Sequence, residues 1–145
     1  MSRPILLHSF SAAETRAFGK AFGKKTKSQA ILALAGPLGG GKTTFVQGLA
    51  AGLRLRRKIT SPTFVKMTSY ALPRTTRRFY HLDLYHLRDL SELDELGVSE
   101  ILKNKQAVVV IEWPEKIKAM LPARTQWIHF AYDPKQPQSR IIKIV

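Results

Sequence analysis

The sequence predicts an α/β fold: a mostly parallel central sheet with helices on both faces, three layers in all. Three observations carry this prediction. The apolar runs Ala30 to Ala35 and Ala107 to Ile111 have the length and composition of buried parallel strands. Stretches with helical spacing alternate with the strand-like runs, which is the pattern of βα units. Between Ala35 and a helix expected from Thr44 to Leu53 lies Gly36-Pro37-Leu38-Gly39-Gly40-Gly41-Lys42-Thr43, a G-x-x-x-x-G-K-[ST] loop.

A strand, a glycine loop and a helix in that order form a phosphate-binding P-loop. Backbone N–H groups and the positive end of the helix surround the phosphates, and glycines at Gly39, Gly40 and Gly41 let the backbone approach oxygens that a Cβ would keep away. Lys42 then reaches the β- and γ-phosphates of a nucleotide, and the Thr43 hydroxyl is placed to ligate Mg²⁺. The refined expectation is a three-layer P-loop NTPase sandwich with a β-hairpin insertion, residues 1–145 forming one domain.

The remaining elements follow in order. Ser11 and Glu14 have capping-box spacing at the head of a helix that runs through Thr15, Phe18 and Phe22, and Gly23 reads as its end. Lys24, Lys25 and Lys27 then read as a solvated loop. Arg54, Arg56, Arg57 and Lys58 form the densest basic cluster, either a solvated turn or a contact for RNA phosphates. Ile59 to Thr63 is a turn rich in hydroxyls. Phe64 to Leu72 and Phe79 to Leu84 read as a hairpin turned by Pro73 to Arg77. In its second strand His81, Asp83 and Tyr85 share a face opposite Leu82 and Leu84. Leu90 to Lys103 reads as two short acidic helices broken at Gly97. The strand Ala107 to Glu112 ends in a carboxylate, Pro114 opens a short helix, and Gln126 to Tyr132 and Ser139 to Val145 read as closing strands.

Composition sets outer bounds. A hydrophobic fraction of 44% with 23% charged residues suits a soluble globular chain, and no apolar run approaches a membrane span. The absence of cysteine excludes disulfides and thiolate metal sites and is compatible with the cytoplasm. The net charge of +14 favours polyanionic partners, nucleic acid first among them.

Hydrolysis needs more than a phosphate cradle: a second metal ligand and a group that orients water. Glu112 is the candidate for the metal, because a carboxylate ending an apolar parallel strand emerges at the sheet edge where the P-loop opens. Asp83 is the second acidic candidate, for water or for the metal. Asp94 to Gly97 and Asn104 to Ala107 only superficially suggest GTPase motifs. The first lies within a helix, and the second lacks the carboxylate that reads guanine.

These blocks, in this order and at this spacing, resemble the TsaE family, small P-loop ATPases of bacterial tRNA threonylcarbamoyladenosine (t6A) synthesis. The resemblance takes in Thr15 and Gly19, Gly36 to Thr44, Thr60-Ser61-Pro62-Thr63-Phe64, His81-Leu82-Asp83-Leu84-Tyr85, Glu95-Leu96-Gly97, Glu112-Trp113-Pro114-Glu115 and Leu121-Pro122. It implies an ATPase that resets the TsaB–TsaD transferase between rounds at adenosine 37 and does not itself transfer the threonylcarbamoyl group. It further implies ATP and Mg²⁺ as cofactors and tRNA as a partner, directly or through the complex. By the same resemblance Lys42 and Thr44 hold phosphates, Thr43 and Glu112 bind Mg²⁺, and Asp83 is required for hydrolysis. Thr60 to Thr63 would be a switch-like loop, Trp113 would lie beside the nucleotide, and Ser11 and Arg140 near the adenine. The chain departs from the family pattern at Pro37, Gly40 and His86, where an acidic residue, alanine and arginine are usual. The alternative is a small nucleotide or metabolite kinase, with Arg74, Arg77 and Arg78 serving as its lid. A third reading is an RNA-binding module switched by ATP.

Overall fold

The computed structural model describes residues 3–26, 29–59 and 67–145. Its elements are β1 (Ile5–Ser9), α1 (Ala12–Lys25), β2 (Ala30–Ala35), α2 (Lys42–Gly52), β3 (Met67–Ala71), β4 (Arg78–Asp83), α3 (Ser91–Leu96), α4 (Val98–Lys103), β5 (Ala107–Glu112), a 3₁₀ segment (Pro114–Met120), β6 (Gln126–Asp133) and β7 (Gln136–Ile144). The expected strand residues Phe64 to Lys66 and the loop Thr60 to Thr63 lie outside the described residues.

Seven strands form one sheet in the order β1-β7-β6-β2-β5-β4-β3. The four central strands β6, β2, β5 and β4 are mutually parallel, and antiparallel pairs close both flanks. The expected hairpin forms as β3–β4, and β4 continues into the parallel sheet beside β5. The central strands are β2 and β5, whose runs AILALA and AVVVIE carry apolar side chains on both faces because both faces are covered.

Two cores result. On one face Leu32, Leu34, Val108 and Val110 pack against Phe45, Val46 and Leu49 of α2, with Phe18 and Phe22 of α1 beside them. On the other, Ile31, Val109, Ile111, Leu82 and Leu84 meet Leu93, Val98, Ile101 and Ile117. Leu82 and Leu84 thus point away from His81 and Asp83, as the alternation along β4 requires.

Helix α1 starts as its sequence signals. The Ser11 hydroxyl accepts from the Glu14 N–H at 3.1 Å, while the Glu14 carboxylate reaches back to the N–H of Phe10 at 2.7 Å. Its end differs from expectation: the helix continues past Gly23 through Lys24 and Lys25 and is capped at Thr26. Gly23 is a packing residue, since a Cβ there would collide with the Leu49 carbonyl oxygen. The same holds for Gly19 against Phe45, Gly48 against Arg16 and Gly52 against Lys20. Two glycines from each helix therefore let α1 and α2 approach backbone to backbone.

Gly97 separates α3 from α4 at φ 70°, a left-handed backbone that suits glycine. The segment after Pro114 is 3₁₀, and β7 begins at Gln136, three residues before the expected Ser139. Strand β1 was not anticipated, because its side of the sheet is largely open and its apolar pattern is short. Among the described residues no helix is long and apolar enough to cross a membrane.

Candidate functional site

The parallel strands β2, β5 and β4 end at a common edge. Pairing sets Leu34 opposite Glu112 and Glu112 opposite Asp83, so the two carboxylates occupy neighbouring strand ends in register. Registered residues of adjacent strands share a face. For Asp83 and Glu112 that face is the one covered by α2. The loop leaving β2 turns directly into α2, with Gly36, Gly39 and Gly41 at positive φ. Strand ends and helix start thereby enclose a cleft of about 560 Å³.

Lys42, Thr43, Thr44, Asp83, Glu112 and Trp113 all line it. Ser11, Gly39, Gly41 and Arg140 line it as well, whereas Gly40 is buried beneath and donates its N–H to the Pro37 carbonyl at 3.1 Å. Thr60 lies outside the described residues. Of the arginines considered for a kinase lid, none lines this cleft: Arg74 and Arg78 line a different one, and Arg77 donates to the Thr26 carbonyl.

Charge in the cleft is crowded and poorly hydrated. Lys42 is 5% exposed; its Nζ donates to the Gly36 carbonyl at 2.7 Å and sits 3.9 Å from the Trp113 ring centroid. Burial lowers its pKa from the usual lysine value, opposed by Glu112, Glu115 and Asp83. Burial raises the pKa of Asp83, and the Glu112 charge adds to this. The Tyr85 N–H, donating to Asp83 at 3.0 Å, together with the charges of His81 and Lys42, pulls the other way.

Glu112 is 3% exposed and is held by His81, whose Nε2 lies 2.6 Å from Oε2. His81 is fully buried, and its Nδ1 has no hydrogen-bond partner among the described residues. With Nε2–H donating to the carboxylate, the imidazole fixes the Glu112 rotamer without consuming its second oxygen.

The β6–β7 end of the sheet grips the phosphate loop from outside. Arg140 donates to the Gly39 carbonyl through Nη2 at 3.0 Å and Nε at 3.3 Å. The Tyr132 hydroxyl donates to the Leu38 carbonyl, and the Arg140 guanidinium lies 4.6 Å from the Tyr132 ring. Arg140 is thus engaged with the loop backbone, and Ser11 with its helix cap. Neither Tyr132 nor the His81–Glu112 bond was read from the sequence. The available signal was topological: β6 runs parallel to β2, so its final residues must arrive at the edge that the P-loop occupies.

The donor set is hard oxygen: one hydroxyl and two carboxylates. Among the described residues no cluster of three or more His, Asp or Glu forms a ready cation cage. Such a sparse set suits Mg²⁺, which keeps several waters and takes one or two carboxylates plus phosphate oxygens.

Comparison with known proteins locates the chain. The family model described as threonylcarbamoyl adenosine biosynthesis protein TsaE matches residues 9–142. A Treponema pallidum protein named tRNA threonylcarbamoyladenosine biosynthesis protein TsaE is 38% identical over 117 residues, covering 81% of this chain and 84% of that one. A Rickettsia bellii protein of the same name is 40% identical over 113 residues, covering 77% and 76%. The crystal structure of Bacillus subtilis YdiB superposes with a TM-score of 0.73 at 29% identity, covering 99% of this chain and 86% of that one.

Proposed function

This chain belongs to the TsaE family of tRNA threonylcarbamoyladenosine biosynthesis proteins, and on that premise we propose that it is a Mg-dependent ATPase of the pathway. Its hydrolysis would reset the TsaB–TsaD transferase for turnover at adenosine 37. The observation that carries the reading is the meeting of Lys42, Thr43, Asp83 and Glu112 in one cleft at the sheet edge.

Thr43 and Glu112 would hold Mg²⁺, which when bound neutralises charge gathering on the phosphate oxygens. Backbone N–H groups of Gly39 and of Gly41 to Thr44 would bind the phosphate chain, and Thr44 would add a hydroxyl. Lys42 leaves the Gly36 carbonyl and the Trp113 ring to meet the β- and γ-phosphates. Asp83 orients the attacking water and accepts its proton; desolvation makes its carboxylate a better base than an exposed aspartate. His81 keeps Glu112 aimed at the cleft, and Arg140 with Tyr132 holds the loop.

ATP hydrolysis measured with Mg²⁺ tests this. Lys42→Ala and Glu112→Gln are each expected to lower kcat by roughly 10²–10³-fold, the effect of removing one group that meets developing charge. Unchanged turnover in both variants would remove the catalytic assignment. Co-purification with TsaB and TsaD, with and without ATP, tests the partner assignment separately.

A further inference from the structure

A second cleft, of about 810 Å³, lies between the end of α2 and the β3–β4 turn. Ala71 and Arg78 pair at the far end of that hairpin from Asp83, so this cleft opens away from the nucleotide site. Its walls carry Arg54, Arg56, Arg57, Arg74 and Arg78, with Tyr70 between them. Among the described residues none of the five guanidiniums pairs with a carboxylate. Arg78 donates to the Ser69 hydroxyl at 3.1 Å, and Arg57 stands 5.7 Å from the Tyr70 ring centroid.

Helix packing and solubility do not account for this concentration. The end of a helix carries only about half a unit of negative charge, far short of five cations. The sequence holds no Asp or Glu between Glu14 and Asp83, so nothing nearby in the chain offsets them.

Backbone geometry places two of these arginines at chain turns. Only three described non-glycine residues have positive φ: Trp113 in the nucleotide cleft, and Arg54 (67°) and Arg74 (60°) here. Arg54 holds the left-handed position that ends α2, where its N–H and that of Leu55 donate to the Ala51 and Ala50 carbonyls at 3.0 and 2.9 Å, and Arg74 lies in the β3–β4 turn; glycine is the comfortable residue at both places. At both positions the side chain is a guanidinium lining the same cleft.

We propose that this arginine-lined cleft binds the phosphodiester backbone of an RNA. Planar guanidiniums match phosphate oxygens in bidentate fashion. Tyr70, half-buried and stacked on Phe79, gives Arg57 an aromatic face to stand over. The site is separate from the ATPase cleft, so its test succeeds or fails independently of hydrolysis.

The test is anisotropy of a labelled tRNA titrated with the full-length chain across a potassium chloride series, alongside thermal melts and ATP turnover. Arg56→Ala/Arg57→Ala is expected to weaken binding roughly five- to tenfold per guanidinium near 0.1 M salt and to flatten the slope of log affinity by roughly 0.7–0.9 for each. Arg54→Gly and Arg74→Gly are expected to weaken tRNA binding while leaving Tm unchanged or higher and turnover unaltered. Unchanged tRNA affinity in well-folded glycine and alanine variants would overturn the proposal. In a parallel titration with labelled polyglutamate, variants that lose polyglutamate binding but keep tRNA affinity would overturn it equally, by pointing to an acidic protein.

Discussion

The two clefts of this molecule use positive charge in opposite ways. In the nucleotide cleft a single lysine is buried among Asp83, Glu112 and Glu115, held by a backbone carbonyl and an aromatic face. In the arginine cleft five cations stand, among the described residues, without a carboxylate partner, on elements that face solvent. A dehydrated, mixed-charge site discriminates by geometry and is little screened by salt. An open, single-sign site attracts any polyanion and is screened strongly. Both are lined by non-glycine residues in left-handed backbone, Trp113 in one and Arg54 with Arg74 in the other.

Salt separates the clefts most sharply. With five phosphate contacts, tRNA affinity is expected to fall roughly a hundredfold or more between 50 and 200 mM salt, while the KM for ATP moves only a few-fold. Equal salt sensitivity in the two assays would erase the distinction. Next in size is Gly48→Ala, which drives a methyl group into the Arg16 carbonyl. Overpacking of this kind costs about 1–3 kcal/mol, read as a Tm drop of roughly 2–4 °C per kcal/mol.

Acidity gives a subtler test. The Asp83 pKa is raised in the folded chain, so between 3.8 and its folded value the folded state holds more proton than the unfolded one. The group's contribution to stability is therefore full below 3.8 and is lost as pH rises through the folded value. Asp83→Asn keeps an oxygen for the Tyr85 N–H and removes the buried charge. It should raise Tm at pH 7, and urea titrations should show that advantage shrinking on acidification. No equivalent effect is expected from changes in the arginine cleft.

The smallest signal is optical. Lys42 rests on Trp113, so ATP binding should change the emission of Trp113 in a Trp127→Phe background, while tRNA alone should leave it unmoved.

Much of the nucleotide cleft was legible in the sequence because its parts are local or end on strands with an unmistakable pattern. The loop Gly36 to Thr43 is contiguous, and Glu112 closes a run of five apolar residues. What escaped was decided by distant pairing. The His81–Glu112 bond depends on β4 lying beside β5, and Tyr132 reaches Leu38 only because β6 flanks β2. Strand β1 is completed by β7 from the other end of the chain. Arg54 to Arg57 were visible as a basic cluster, but Arg74 and Arg78 join them only through the hairpin fold. Gly23 was misread for a different reason: glycine signals both a helix end and a close helix crossing, and only the partner helix distinguishes them.

The four interlocked glycines of α1 and α2 would tie any nucleotide held at the P-loop to the first helix as well as the second. Because the two backbones touch, sliding or tilting α2 alone would drive it into its neighbour, so a displacement started at Lys42 would be expected to carry both helices. That neighbour is capped by Ser11 on the rim of the P-loop cleft and exposes the side chains of Arg16, Lys20 and Lys24 beside the helix crossing. A stroke at the phosphates would therefore be broadcast as the motion of a two-helix plate, giving a partner protein a broad moving surface to feel.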